Sequence, residues 1–548
     1  MAKNFIIRSK NVFDGKHHSP QPMAIAVSGK RIVRILPWDY QEHDFPGDYI
    51  YKKWNLIDYG DRYIQYSFID AHTHIFNGAV DASDYVCSDL SSCQSEEECV
   101  EKIHDYAVKH PEARRIRGSG WFVGNWKSGK LPDKISLDKA IPDRPVYLRC
   151  ADAHSYWLNS AALEEAKVVP KPEMKNGQVV TFPNGELSGL LLEPAAYEPA
   201  DEKFLEFSDE EMLHILENFQ KILAQDGVAG ASEMFAQDYI PETYRQFDLL
   251  KKVDEEGKMA AQVFAYTKLF GYTDFTEFFK MKRHFNSPHF HIAGVKGFVD
   301  GVTETHTGML LEPYTDDPST CGENLPLWPK DKMQEEIIEA NRQGIQVRLH
   351  CIADGSVRMA LDMYEESKRV NGNKDMRNTI EHIENIHPDD LGRFKEIGVI
   401  PSMQPYHLVL AKNGTILRLG EERVKWEWAF RSILDHGGEI ALGTDFPVVS
   451  INPFPTIYAA VVRKDDQTRQ PTGFNPDEKM TMEEAIRGYT QEAAKVYHAE
   501  QDMGTIEEEK YADLIVLNQN LFEAKEEEIL NTKVDVNYFE GELIYNSL

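Results

Sequence analysis

Positive charge is scarce in this 548-residue sequence: 60 lysines and arginines stand against 90 aspartates and glutamates, a net charge of −30. Such an exterior repels phosphate backbones and anionic headgroups, which argues against nucleic acid and membranes as partners. Cysteine is equally sparse. The six residues Cys87, Cys93, Cys99, Cys150, Cys321 and Cys351 include no Cys-x-x-Cys pair, so neither a zinc knuckle nor a redox motif is spelled out. Cys87, Cys93 and Cys99 are evenly spaced, but Glu96, Glu97 and Glu98 lie among them and no histidine does, so they read as free thiols in a reducing setting. Long apolar runs are missing as well. None approaches the roughly 20 residues of a membrane span, and Phe5-Ile6-Ile7 is too short for a signal peptide. Internal repeats and low-complexity linkers are also absent. Together these features predict a cytoplasmic protein.

What is present is core-forming material, with 42% hydrophobic and 11% aromatic residues, enough to exclude disorder as the main state. Residues 1–66 spell short strands, among them Ala24-Ile25-Ala26-Val27 and Arg31-Ile32-Val33-Arg34-Ile35, and residues 500–548 have the same texture. The two ends are expected to combine into one small β-sandwich. Across 67–499, β-branched runs alternate with amphipathic helical patterns, the signature of βα units and a parallel sheet. The strands expected are 67–75, 227–234, 261–266, 292–299, 345–352, 378–383, 399–403 and 439–444, with helices such as 331–343, 356–370 and 481–498 between them. No Gly-rich phosphate loop follows the first strand, so an α/β fold of the TIM-like (β/α)₈ barrel type fits better than an open sheet. Residues from about 85 to 225 are too many for one connection and are expected to form an insertion over the barrel mouth.

The chemistry sits at strand ends. In Phe68-Ile69-Asp70-Ala71-His72-Thr73-His74 the two histidines are two apart on a strand, so the pleat sends both to one face, where they can share a metal ion. His350 closes one apolar run, His382 another and Asp445 a third, and catalytic residues of such barrels gather at C-terminal strand ends. Four histidines and a carboxylate at the ends of four strands point to a metal centre. Lys296 lies inside an apolar strand, where a bare ammonium is costly. Either it pairs with Asp300 or Glu304, or its amine reacts with carbon dioxide to give a carbamate bridging two metals.

The ordered set His72/His74, Lys296, His350, His382 and Asp445 resembles the amidohydrolase superfamily, in particular the branch holding N-substituted formamide deformylases. The stretches Gly118-Ser119-Gly120-Trp121, Asp143-Arg144-Pro145-Val146, Ala153-His154-Ser155-Tyr156-Trp157-Leu158-Asn159-Ser160, Gly189-Leu190-Leu191-Leu192-Glu193 and Gly443-Thr444-Asp445-Phe446-Pro447-Val448 match the same branch. The sequence departs from it at Tyr66-Ser67, usually Pro-Gly, at Ala353, usually Gly, and at Glu509, where the C-terminal motif usually has Gly. The resemblance implies a metal-dependent hydrolase that cleaves a carbon–nitrogen bond of the amide type, such as an N-acyl or N-formyl amine, by attack of a metal-bound hydroxide. His72 and His74 would hold the buried ion and His350 with His382 the more exposed one. A carbamate on Lys296 would bridge them. Asp445, also a ligand, would shuttle the proton to the leaving nitrogen. One or two zinc ions suit the donor set, although manganese, iron or nickel accept it.

The substrate is expected to be a small molecule, with Trp121, His154 and Tyr156 of the insertion and Gln404, Tyr406 and His407 after the seventh strand as candidate contacts. Arg149 and Arg348 read most simply as ion-paired, with Asp152 and Asp354 nearby in sequence. A homo-oligomer is compatible with an enzyme of this size. The competing functions are deamination of a heterocycle, against which Lys296 argues, and a non-catalytic scaffold or regulator, which has no use for a shuttle carboxylate.

Overall fold

The computed structural model describes residues 4–41, 54–83, 86–151, 155–169, 177–192, 194–234, 241–271, 274–322, 328–411, 414–466, 468 and 475–548. The chain divides into two compact units, one formed by Met1–His74 with Gln220–Leu548 and the other by Ile75–Phe219.

The first unit contains an eight-stranded parallel sheet in sequence order: β1 (Phe68–Asp70), β2 (Val228–Glu233), β3 (Gln262–Lys268), β4 (Phe290–Phe298), β5 (Gln346–Cys351), β6 (Thr379–His382), β7 (Ile400–Met403) and β8 (Ala441–Leu442). Backbone bonds from Ala71 to the Leu442 carbonyl (3.0 Å), from Asp445 to the His72 carbonyl (2.7 Å) and from His74 to the Phe446 carbonyl (2.8 Å) bring the eighth strand back to the first. All eight expected strands are present, because a strand buried on both faces needs a near-continuous apolar run. The expected helices lie at Lys330–Arg342 and Asp354–Asn371. The third expected helix begins at a capping box between Thr481 and Glu484, then passes through a π turn at Gly488–Glu492. A Cβ on Gly488 would sit 2.8 Å from Leu442, so glycine permits the helix to approach β8.

Strands from both chain ends, including Asn4–Phe13, Gln21–Ser28, Tyr63–Tyr66, Leu514–Leu517 and Val534–Phe539, join in one hydrogen-bonded eight-stranded sheet. Seven of these strands pair along one path, with Asn55–Asp58 added beside Asn4–Phe13, rather than in two separate sheets, and Tyr63–Tyr66 links the N-terminal strands to Leu514–Leu517. One face contributes Ile7, Ile25, Ile64, Leu514 and Val516 to a core shared with Ile69, Phe264 and Tyr497 of the barrel layer. Phe264 and Tyr497 stack at 4.1 Å between ring centroids. Each fully buried aliphatic side chain there contributes about 1.5–3 kcal/mol, which fixes the barrel floor.

The second unit starts at Ile75 and ends at Phe219, close to the insertion expected at about 85–225. It holds a mixed six-stranded sheet and its own core, built around Trp121, Trp126, Trp157, Leu148 and Leu190.

Candidate metal centre

The end of β1 is braced before it carries any ligand. The Asp70 carboxylate accepts the His72 and Thr444 backbone N–H groups, each at 3.0 Å, and the Thr444 hydroxyl at 2.7 Å. This one side chain thus ties the His-x-His turn to the end of β8. Gly443 is required at the crossing, since a Cβ there would lie 2.6 Å from the His72 nitrogen.

His72 and His74 converge on Asp445, their Nε2 atoms lying 3.4 and 3.1 Å from Oδ1. The other carboxylate oxygen, Oδ2, faces His382 Nδ1 at 3.9 Å and His407 Nε2 at 3.8 Å. These are the two groups among the described residues whose ligand atoms could share a cation: His72, His74 and Asp445, and His382, His407 and Asp445. His382 Nδ1 and His407 Nε2 are buried without a hydrogen-bond partner. Buried polar atoms without partners are costly, and two aimed at one place fit a missing cation. Asp445 and His382 also adopt left-handed backbone, with φ of 59° and 75°, a sparsely occupied conformation that persists where surrounding structure enforces it.

The His72 ring is oriented from behind. Its Nδ1 lies 2.7 Å from Glu381 Oε2, so a proton on Nδ1 leaves Nε2 with its lone pair toward the site. Burial, reinforced by the Lys296 ammonium, lowers His72 to about 4, which favours the neutral ring that a ligand must be. Glu381 is held in turn by Arg348, whose Nε and Nη2 donate at 2.8 Å to Oε1 and Oε2.

Lys296 on β4 is buried, with Nζ 3.4 Å from His72 Nε2. The ion pair considered for it with Asp300 or Glu304 is not formed. Asp300 instead accepts the backbone N–H groups of Met309, Ile352 and Ala353. Burial lowers Lys296 to about 8, with Arg348 acting in the same direction and Glu381 against it.

His350 stands beside His382, ring centroids 4.5 Å apart, but its Nε2 faces the Gly301 carbonyl at 3.2 Å and it belongs to neither ligand group. Of the residues expected after the seventh strand, His407 lines the site. Burial tends to lower its pKa, yet the Glu384 hydrogen bond and the Asp445 charge raise it above the ordinary value. The position attracts positive charge. Gln404 is buried, with Nε2 near the Ser402 carbonyl at 3.4 Å, and the Tyr406 hydroxyl donates to Asp466 at 2.7 Å.

The insertion residues have internal partners. Trp121 is buried in the second unit's core and donates from Nε1 to the Leu148 carbonyl at 3.0 Å. Tyr156 is buried and donates to Asp201. Asn159, from the same motif, bonds the backbones of Val146, Ala162, Ile141 and Arg144. His154 and Asp152 lie outside the described residues. Both arginines are ion-paired as expected: Arg149 pairs with Asp81, and Arg348 pairs with Glu381 rather than with Asp354, whose carboxylate accepts the Leu311 N–H.

Sequence reasoning missed Glu381 and Glu384 as orienting groups. Each flanks His382 within Glu381-His382-Ile383-Glu384, so their proximity to a strand-end histidine was the available signal.

Residues 56–545 match the model of the amidohydrolase family. The chain belongs to that family. This amidohydrolase-family chain is 27% identical over 553 residues to Protein LONG AFTER FAR-RED 3 of Arabidopsis thaliana, an alignment covering 100% of this chain and 92% of that protein. It is 24% identical over 512 residues to the N-substituted formamide deformylase of Arthrobacter pascens, covering 89% of this chain and 90% of that one. Its fold is similar to that of an uncharacterised metal-dependent hydrolase from Pyrococcus horikoshii OT3, with a TM-score of 0.77 at 23% identity over 96% of this chain and 99% of the other. No helix among the described residues is long and apolar enough to cross a membrane.

Proposed function

We propose that this protein is a metal-dependent hydrolase that cleaves an amide-type carbon–nitrogen bond of a small molecule, such as an N-acyl or N-formyl amine. The observation that carries the reading is the convergence of His72, His74 and Asp445 at the C-terminal end of a parallel barrel, with His382 Nδ1 and His407 Nε2 buried and unpartnered beside Asp445. Membership of the amidohydrolase family supports it, as does the relationship to a formamide deformylase. Zinc is the first choice for a site of imidazole and carboxylate donors. When bound, a divalent cation lowers the pKa of a water toward neutrality and polarises a carbonyl.

The chain's own residues do the rest. Asp445 accepts the nucleophile's proton on Oδ2 and returns it to the leaving nitrogen, which cannot depart as an anion. An ionised carboxylate has about four lone-pair sites, so Asp445 can serve a cation and a proton at once. Glu381 fixes the His72 tautomer through Nδ1, and Arg348 fixes Glu381. Lys296, its amine buried 3.4 Å from His72 Nε2, is the position for a carbamate ligand formed with carbon dioxide.

The test is a hydrolysis screen of acyl amines and formamides with the metal-loaded protein, monitored by amine release. The reading expects release from at least one amide-class substrate and its loss after chelation, with recovery on adding zinc. Turnover that survives complete metal removal would contradict it.

A further inference from the structure

Glu384, which holds His407 Nδ1 at 3.3 Å, is one of three carboxylates gathered at the edge of the site. Glu304 follows β4, Glu384 follows β6 and Glu427 lies between β7 and β8, so all three belong to connections at the barrel end that carries the chemistry. An isolated bridge pairs Asn385 with Glu427, and the Trp428 N–H donates to the Glu384 carbonyl at 2.9 Å, which sets two of the three stretches side by side. The Glu304 carboxylate faces Glu384 and His407, and the Glu427 carboxylate faces Glu384 and Glu304.

The three form a recess with a closed and an open end. Glu427 is 1% exposed and its Oε2 is buried without a partner, whereas Glu304 is exposed to solvent. Burial and mutual repulsion hold Glu304 and Glu427 above the ordinary carboxylate range, although Arg418 and Arg463 pull the other way. Arg418 donates from Nε to the Glu304 carbonyl at 2.9 Å, and Arg463 donates to the Trp428 carbonyl at 2.9 Å and the Glu427 carbonyl at 3.3 Å. A buried carboxylate oxygen without a donor is costly, and repelling neighbours raise the cost.

A positively charged ligand relieves both. Among the described residues these carboxylates form no group whose ligand atoms are close enough to share a metal ion. An ammonium suits the wider spacing, because its three N–H donors reach carboxylate oxygens at about 2.7–2.9 Å, against about 2.0–2.2 Å for zinc–oxygen bonds. We infer that Glu304, Glu384 and Glu427 form a subsite for an alkylammonium group of the substrate, so that the molecule cleaved carries a free amine besides its amide, as a mono-acylated diamine does.

This assignment rests on the amide-hydrolase reading above and deepens it. Binding of N-acetyl-diaminobutane and of N-pentylacetamide, in which a methyl group replaces the ammonium, is measured by calorimetry on the metal-stripped full-length protein, and hydrolysis of both is followed on the zinc-loaded protein. The wild-type protein is expected to bind the charged amide about 10–100-fold more tightly. Glu304→Gln, a change at an exposed side chain, is expected to narrow that preference about tenfold, Glu427→Gln to narrow it similarly, and Glu304→Lys to remove it. A wild-type protein without the preference, whether it binds both amides equally or neither, overturns the subsite, as does a preference unchanged in both Glu304→Gln and Glu427→Gln. Preferential binding of the charged amide with no hydrolysis of any amide or formamide by the zinc-loaded protein upholds the subsite and overturns the hydrolase reading instead.

Discussion

Arg348 and Glu381 form a fully buried two-pronged ion pair behind the site, with Nε–Oε1 and Nη2–Oε2 both at 2.8 Å, and Glu381 passes that constraint on to His72. Arg348 also donates to the Ala71 carbonyl at 2.8 Å, so it grips the His-x-His turn directly. Removing one partner of such a pair leaves the other charge buried and uncompensated. Arg348→Met is therefore expected to destabilise the protein by about 3–5 kcal/mol, measured by urea unfolding, while Arg348→Met combined with Glu381→Gln recovers part of the loss. Additive losses in the double variant would contradict the pairing.

Asp445→Asn keeps an oxygen ligand but removes the group that carries the proton. Hydrolysis is expected to fall by about 10²–10⁴-fold, the usual range for a general acid–base group, with metal content largely kept. Comparison of kcat with zinc per chain in the same preparation checks it. Unchanged turnover would remove Asp445 from the proton path.

Glu509 adopts φ of 71°, the left-handed region, at the position where the related branch usually has glycine. The turn is kept, with its N–H on the Ile32 carbonyl at 2.8 Å, but a residue with a Cβ holds it. Glu509→Gly relieves a conformational cost of about 1–2 kcal/mol and gives some of it back through a more flexible unfolded chain. A rise of about 0.5–1 kcal/mol in stability is expected from urea midpoints at constant slope, whereas a fall would show that the Glu509 side chain stabilises the turn.

His289 bridges Asp254 and Glu540, with Nδ1–Oδ1 at 2.6 Å and Nε2–Oε2 at 3.1 Å, joining the start of β4 to the terminal sheet. Burial opposes its protonation, but the two carboxylates raise it from 6.5 to about 9. Its stabilisation is full below the unfolded value of 6.5 and is lost as pH rises through about 9. The carboxylates, held below their ordinary values, contribute above about pH 4 and lose their contribution in stronger acid. Discounted for partial solvent screening, the wild-type protein is expected to lose about 1–3 kcal/mol more than His289→Gln between pH 6 and pH 10. Urea midpoints of both proteins at both pH values check it, and parallel losses would contradict the bridge.

The barrel was legible in the sequence because its strands are buried apolar runs, several ending in a polar residue, which marked His72, His74, His350, His382 and Asp445, while Lys296 stood out as a charge inside such a run. Partnership between distant residues was not. Arg348 pairs with a glutamate 33 positions away because β5 and β6 are neighbours, set by register rather than sequence proximity. Glu381 serves a histidine 309 positions away. Asp70, visible only as part of a motif, proved to tie β1 to β8 through Thr444. Trp121 and Tyr156 stood out by residue type, yet their polar atoms are satisfied inside the second unit, where side-chain size serves packing.

The most direct measurement is anomalous diffraction at the zinc edge from crystals of the full-length protein grown with zinc. The account predicts a peak about 2.0–2.2 Å from His72 Nε2, His74 Nε2 and an Asp445 oxygen. Crystals saturated with zinc in which those three side chains remain ordered and no peak lies between them would contradict it.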